Sequence, residues 1–303
     1  MKSIFKKSGS QPGGRPPAAV ELEAQGVLAA ASPGPGKPPV YAFAPLPAGA
    51  LTPGIGEQNL HGPEAVAAAI RTALGQVSPR TRAVTVVLPD TAVRVFVLDF
   101  DSLPSRAAEA LPVLRFRLRK MIPFDVEHAG LSYQILLENK QECKVLAAVI
   151  PGPVLAEYEA AVHQAGYEPG AVLPSSLAAL AGIDSLEAVL AVSLNGLTLT
   201  TCITNGEDLL LYRTLDLPED PSLRLDEVQR GVAVAAAYYE DKLQARPTRL
   251  LYSGDGGANQ FAAWLNDPEL TVADLAPRPE TGVTTPMGNL GLAGVTGALA
   301  GAS

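Results

Sequence analysis

A duplicated α/β architecture, with two mixed sheets each carrying helices, is what this 303-residue chain predicts, and three observations carry the prediction. Three β-rich runs in the second half, Ala188 to Leu194, Leu197 to Thr204 and Leu209 to Leu215, are separated by Asn195-Gly196 and Asn205-Gly206. Those dipeptides tolerate the positive φ of tight hairpin turns, so the runs read as a meander. A long helix near Leu225 to Leu243, with Leu225, Val228, Val232, Tyr239 and Leu243 on one stripe, follows it, then a buried strand Arg249 to Ser253 and a helix Asn259 to Leu265. The first half repeats this order in architecture, not in letters. Short connections and right-handed crossovers leave few topologies for such a repeat.

The first half supplies its elements in the same sequence. Val20-Glu21-Leu22 and Val27 to Ala31 read as strands joined at Gln25-Gly26, with Val40 to Phe43 as a third. The Pro-rich stretches Ser32 to Pro39 and Pro45 to Gly62 are loops, because proline withholds a backbone donor from any ladder. Glu64 to Leu74 is an amphipathic helix burying Val66, Ile70, Ala73 and Leu74. Ala83 to Leu88 and Val93 to Phe100 suggest a hairpin around Pro89-Asp90. Ser105 to Met121 has helical spacing at Leu111, Leu114, Leu118 and Met121, with Pro112 expected to kink its first turns. Strands Leu131 to Leu137 and Cys143 to Ile150 lead to a helix, Val154 to Gln164, with Leu155, Tyr158 and Val162 inward and Gly166 as its stop.

Composition bounds the function. Apolar residues are 47% of the chain and mean hydropathy is +0.17, enough to bury substantial cores. With 23 Lys+Arg against 31 Asp+Glu the formal charge is −8, which argues against nucleic acid as a partner. No apolar run reaches the roughly 18 to 20 residues of a membrane helix. Residues 1–17 form a basic Ser/Gly/Pro-rich tail, expected to be disordered, and no signal-peptide core follows Lys2, Lys6 and Lys7. Two cysteines, Cys143 and Cys202, make neither a disulfide framework nor a zinc site, so a cytoplasmic location is expected. His61, His128 and His163 lack ligand spacing, and Pro38-Pro39 stands where a P-loop after Gly34-Pro35-Gly36-Lys37 needs Ser/Thr and a helix start.

A family resemblance rests on Leu114-Arg115-Phe116-Arg117-Leu118-Arg119-Lys120-Met121-Ile122-Pro123-Phe124-Asp125, continued by Leu131-Ser132-Tyr133-Gln134-Ile135-Leu136. The stretch resembles the type IV pilus assembly protein PilM, in which a helix ends in Tyr/Met-Ile-Pro-Phe and a strand with Asp/Ser-Tyr-Gln follows. The resemblance extends roughly from residue 18 to the end of the chain. It implies an actin-like (RNase H-like) fold related to FtsA, with an inserted small subdomain; the second lobe is expected to be reduced, because only about ten residues stand between Tyr212-Arg213 and the helix at Leu225, where the family carries most of a subdomain. The expected division is 18–82 and 152–186 for the first lobe, 83–151 for the insertion, 187–285 for the second lobe and 286–303 for a small-residue C-terminal helix. It also implies a cytoplasmic adaptor, peripheral to the inner membrane, that binds the N-terminal tail of a PilN-like protein and connects to the pilus motor.

An actin-like nucleotide site holds phosphates on two Gly-containing hairpins, with an Asp on each lobe organising Mg²⁺. The family's first hairpin resembles Asp-Ile-Gly-Ser-Ser-Ser-Val-Lys; here Glu21 stands for the Asp, Glu23 for the close-approach Gly and Leu28 for the Lys. In the second hairpin Ser193 replaces the other carboxylate and Thr198 survives. Ser253-Gly254-Asp255-Gly256-Gly257-Ala258 resembles the adenosine-binding turn, although a plain tight strand-to-helix turn is the preferred reading, since isolated glycine motifs are weak. Wrong-signed or uncharged groups at these places weaken phosphate binding. The resemblance therefore implies a pseudo-ATPase without hydrolysis or required cofactor, whose residual nucleotide contacts, ATP and magnesium included, would fall on Glu21, Thr198, Gly254, Gly256 and Gly257. The groove for the partner tail is expected beside Arg115, Arg119, Ile122, Pro123, Phe124 and Tyr133. Two rivals remain at this stage: a working actin-like ATPase, and a GspL-like cytoplasmic domain of type II secretion.

Overall fold

The computed structural model describes residues 15–34, 36–56, 58–276 and 291–300. It divides into two compact units, one running through Leu173 and the other from Pro174 to Ala300. The expected basic tail therefore lies almost wholly outside the described residues, as do residues 286–290 and 301–303 of the expected C-terminal helix.

In the first unit β1 (Ala18–Glu23) and β2 (Gly26–Ala31) form an antiparallel hairpin, and β3 (Val40–Pro45) adds to its outer side. Helix α1 (Pro63–Val77) starts with Pro at its first position, where a missing N–H costs nothing, and buries Val66, Ile70, Ala73 and Leu74 as expected. Strand β4 (Ala83–Leu88) then pairs parallel to β1, with Val20 opposite Val86. This overturns the expected hairpin with the next run. Val84 to Leu88 are buried almost without exposed area, and a strand covered on both faces suits the sheet centre, which a parallel crossover through α1 reaches.

The small subdomain accordingly begins at β5 (Arg94–Phe100), not at residue 83, and continues with α2 (Ala107–Leu118), β6 (Gly130–Glu138) and β7 (Cys143–Ile150). Its sheet has the order β5-β7-β6, all antiparallel. The inward stripe of α2 is Ala110, Leu114 and Leu118, joined by Ile122; Met121 is instead 44% exposed. Pro112 stays inside the helix without ending it. Next, α3 (Gly152–Gln164) buries Val154, Tyr158, Ala161 and Val162, with Leu155 only half-buried, and β8 (Glu168–Pro174) completes a sheet of order β3-β2-β1-β4-β8.

A polar clasp holds the Pro/Gly-rich loop before α1. The amides of Asn59 and Leu60 donate to Glu157 Oε2 at 2.9 and 2.8 Å, while Asn59 Oδ1 accepts from Gly54 N and from the Tyr158 hydroxyl. Burial pushes that phenol's pKa well up.

The second unit opens with α4 (Ser175–Leu180), so residues 174–186 fall with this unit and not with the first lobe. The meander is β9 (Ala188–Asn195), β10 (Thr198–Asn205) and β11 (Asp208–Asp216), turning at Gly196 and Gly206 with φ of 58° and 59°. Only residues 217–220 separate it from α5 (Pro221–Leu243), which Asp220 caps and which buries Val228, Gly231, Val232 and Ala235. Strand β12 (Arg249–Gly254), α6 (Gly257–Leu265) and β13 (Thr271–Asp274) follow, giving the order β11-β10-β9-β12-β13. Both five-stranded sheets thus have the same strand order, an antiparallel meander whose first strand pairs parallel with a fourth strand, and a fifth beyond it. The last described helix, α7 (Ala293–Leu299), packs chiefly on α4.

Gly297 permits that packing, because a Cβ there would lie 2.0 Å from the Ala178 carbonyl oxygen. Exposed Gly75, in α1, has nothing within 4 Å of its Cβ position. Gly75→Ala is therefore expected to stabilise the protein by up to about 1 kcal/mol through helix propensity. Gly297→Ala should destabilise it by about 2 kcal/mol despite the same propensity gain, because overpacking opposes it. Thermal melting of the two variants checks the opposite signs.

Candidate functional site

The first hairpin holds a carboxylate and has no Lys or Arg in its own two strands. Glu21 is 1% exposed, in register between Leu28 of β2 and Val87 of β4. Glu23 faces Gly26 across the turn, and Gly26 is required by the sheet itself: its Cβ would meet the Phe43 ring at 2.4 Å and the Ala44 carbonyl at 2.6 Å.

The second hairpin is built of hydroxyls. Thr200, Ser193 and Ser253 are in register across β10, β9 and β12, and neighbours in register share a face. Thr198, two residues along on that face, is 1% exposed, and its Oγ1, like that of Thr200, has no partner among the described residues. Hydroxyls can orient water or an oxyanion, but neutral ones do not supply the charge that organises Mg²⁺. Among the described residues no His/Cys/Asp/Glu cluster could hold a metal ion. The carboxylate that does face Thr198 in register is Asp216, on the exposed edge strand β11.

The Gly-rich turn is explained by packing. Gly254, Gly256 and Gly257 have φ of 155°, 75° and 79°, a region that favours glycine. A Cβ on Gly254 would lie 2.5 Å from the Tyr252 hydroxyl and 2.6 Å from the Leu194 carbonyl, and Gly291 packs directly on the Gly254 backbone. The Gln260 side chain lies over Gly256. Tyr252 stacks on Phe261 at 4.2 Å and donates to the Asp255 carbonyl. A helix N-terminus attracts anions through its free amides, yet at α6 the Ala258 amide already donates to Asp274 Oδ1 at 3.0 Å. An internal carboxylate thus satisfies one amide of that helix's first turn. Sequence reasoning missed Asp274, which stands 16 residues on and is brought there by the β12–β13 pairing.

The residues expected near the partner groove all lie in the small subdomain. Ile122 is a core residue at 8% exposure, and Phe124 and Tyr133 are half-buried against the same cluster. Arg115 donates to the carbonyls of Val126 and Ala129, so it pins the loop after α2. Arg119 reaches Glu127 at 2.5 Å, and Pro123 is exposed. Asp125 organises this loop: it accepts from the Glu127 amide at 2.9 Å and meets His128 Nδ1 at 2.5 Å. Beside the loop β6 is an unpaired sheet edge, with Ile135 and Leu137 exposed.

The topology defines the class first: two sheets of identical connectivity with a small inserted subdomain make this an actin-like fold. No protein-family model matches the chain and no curated protein matches it in sequence. Among solved structures it is similar to a chain of the PilM–PilN type IV pilus biogenesis complex, with a TM-score of 0.72 and 19% identity, covering 94% of this chain and 98% of that one. It is also similar to the cytoplasmic domain of EpsL, an inner-membrane component of the type II secretion system of Vibrio cholerae, with a TM-score of 0.50, 14% identity and coverage of 93% and 92%. At these identities the likeness is one of fold, and the fold is PilM-like.

The loop after α2 carries a pH-dependent contact. Hydrogen bonding to Asp125 raises the His128 pKa above 6.5, and hydrogen bonding to His128 lowers the Asp125 pKa below 3.8. The histidine's contribution is complete below its unfolded pKa and is lost as pH rises through the raised value. The aspartate's is present above its unfolded pKa and is lost as pH falls through the lowered value. The pair is thus strongest between about pH 4 and 6.5 and, being exposed, weakens with salt. An NMR titration should find the His128 midpoint above 6.5, and Asp125→Asn should bring it back towards that value.

Proposed function

We propose that this protein is a degenerate PilM-type adaptor: a pseudo-ATPase on the cytoplasmic face of the inner membrane that binds the N-terminal tail of a PilN-like membrane protein and so joins a pilus platform to its motor. The observation that carries the reading is the near end-to-end likeness to a chain of the PilM–PilN complex, 94% of this chain on 98% of that one. The weaker likeness to the EpsL domain keeps a type II secretion platform as the second reading. Loss of hydrolysis follows from chemistry. A triphosphate carries several negative charges, and Glu21 adds another where a counter-charge is needed, while Ser193 offers no charge to a metal. The adaptor role requires only a groove. A short extended tail gains affinity by main-chain hydrogen bonds at a sheet edge and by filling a few apolar pockets, and the open β6 edge beside Phe124 and Tyr133 offers both. No helix among the described residues is long and apolar enough to cross a membrane; in this reading the chain meets the bilayer through its partner.

Isothermal titration tests the two halves of the proposal separately. A peptide from the N-terminal tail of a PilN-like protein of the same organism should bind with a Kd on the order of micromolar, about 8 kcal/mol. Phe124→Ala should weaken it at least tenfold while the protein keeps a cooperative melt. ATP with Mg²⁺ should give no saturable heat and no phosphate release. Micromolar ATP binding with turnover would overturn the pseudo-ATPase half. Failure of the tail peptide to bind at millimolar concentration would overturn the adaptor half.

A further inference from the structure

Basic charge in this acidic chain is gathered on two stretches, and each also carries apolar side chains. Between residues 106 and 121 the basic side chains Arg106, Arg115, Arg117, Arg119 and Lys120 stand against a single carboxylate, Glu109. Phe116 lies about 200° round α2 from the buried Leu114, so it points straight outward, and it is 73% exposed. Val113 and Met121 beside it are 37% and 44% exposed, and Arg119 and Lys120 flank it at i+3 and i+4. The nearby carboxylates are already occupied: Glu109 faces Arg106, Glu127 holds Arg119 and Asp125 holds His128. Arg117 and Lys120 have no ion-pair partner among the described residues. The second stretch is at the start of the sequence, where every charged side chain of residues 1–20, Lys2, Lys6, Lys7 and Arg15, is basic and Ile4-Phe5 lies between the first two lysines.

An outward phenylalanine among basic side chains fits either an acidic protein surface or an anionic bilayer. Size decides between them. A specific protein interface takes roughly 20 to 30 residues a side, whereas the large apolar side chains exposed here are Val113, Phe116 and Met121. A bilayer asks for less: an apolar group that enters the headgroup boundary by about 5 to 10 Å, and long Lys or Arg stems that keep their charge among the lipid phosphates. Phe116 and Met121 supply the first, and Arg117, Arg119 and Lys120 the second. The rest of the molecule supplies orientation. With a total charge of −8 its body is repelled by an anionic leaflet, so the face turned to the membrane is the basic one.

We propose that the outer face of α2 is a lipid-contact surface: Phe116 enters the headgroup region of an anionic bilayer with Arg117, Arg119 and Lys120 on the lipid phosphates, and residues 2–7 add a second contact of the same chemistry. The inference deepens the proposed function, resting on that reading only for the presence of a membrane, and adds a direct contact to the one made through the partner. A single shallow anchor gives marginal, reversible binding. Two such contacts on one chain reinforce each other, because residues 2–7 are joined to the same unit at β1 and the first contact holds the second close to the surface. Both depend on charge, so salt weakens them together.

Co-sedimentation of the full chain with lipid vesicles provides the test. With phosphatidylcholine vesicles carrying about a third phosphatidylglycerol, half of the chain should pellet at an accessible lipid concentration on the order of 100 µM, the strength of one marginal anchor. With phosphatidylcholine alone, or in about 1 M salt where the screening length falls to about 3 Å, it should stay in the supernatant. Arg117→Glu with Lys120→Glu should weaken binding at least tenfold, and Phe116→Ser and the pair Lys6→Ser with Lys7→Ser severalfold each. The α2 positions are exposed, so these variants should melt like the parent. Phe116→Trp keeps an aromatic ring at the same place and reports insertion whatever the other melts show. Beyond the signal of Trp264, which packs on the core of the second unit, its emission should shift to the blue on vesicles and be quenched by brominated lipid. A parent that stays in the supernatant at millimolar lipid, α2 variants that pellet like it, or an unshifted and unquenched Phe116→Trp emission would each overturn the proposal. So would self-association without lipid, abolished by the same α2 substitutions in a chain that ignores vesicles, which would assign the face to a protein. The tail-peptide titration fails separately: vesicle binding without peptide binding removes the adaptor reading and keeps the lipid face, and the reverse removes the lipid face alone.

Discussion

The parallel pairing of one strand in each sheet to the start of a meander is the constraint on which the rest depends. Strand β4 lies beside β1, and β12 beside β9, each hydrogen-bonded to the start of an antiparallel meander. A parallel neighbour cannot be reached by a two-residue turn; it needs a crossover, and α1 and α5 provide one in each unit. Once that crossover is made, the turn leaving β1 and the turn leaving β9 occur at corresponding places, and the Gly-rich turn leaving β12 stands beside the second of them. The fold thus sets the places at which an actin-like protein does its chemistry before any particular side chain is chosen.

In this chain those places have been filled in a manner that serves packing. Glycines at the β12–α6 turn admit Tyr252, Leu194 and the Gly291 backbone, and Asp274 satisfies an amide of the following helix. Glu21 is sealed among Leu and Val neighbours. The surface has developed in the opposite direction. Exposed Phe116, Leu223, Ile135 and Leu137 sit on elements whose inner faces are already well packed, and exposing them contributes nothing to stability.

Much of the architecture was legible because it is written in local periodicity. The Asn-Gly turns of the second meander, the β1–β2 turn at Gly26, the stripe of α1 and the α5 helix all follow from spacing and turn chemistry over fewer than about 20 residues. The PilM-like resemblance of residues 114–136 agrees with the fold found, although identity to the structure it resembles is only 19%. What was misread is instructive. Ala83 to Leu88 and Val93 to Phe100 are neighbours in sequence, and Pro89-Asp90 between them has turn chemistry, yet they enter different sheets. The near-continuous apolar run of β4 was the available signal, since an edge hairpin of that composition would leave one face wet.

The sequence alone determined which segments are strands and helices, which of their faces are apolar, and that the positions matching the family's two Gly-containing hairpins carry other residues, because each is a property of residues near one another along the chain. Only the tertiary structure decided which strand pairs with which, that Arg115 holds a loop and Ile122 fills a core, and that Asp274 reaches the amide of Ala258. The reason is physical. Hydrogen-bond register and burial on the second face of a strand depend on partners tens of residues away, and no local pattern carries that choice.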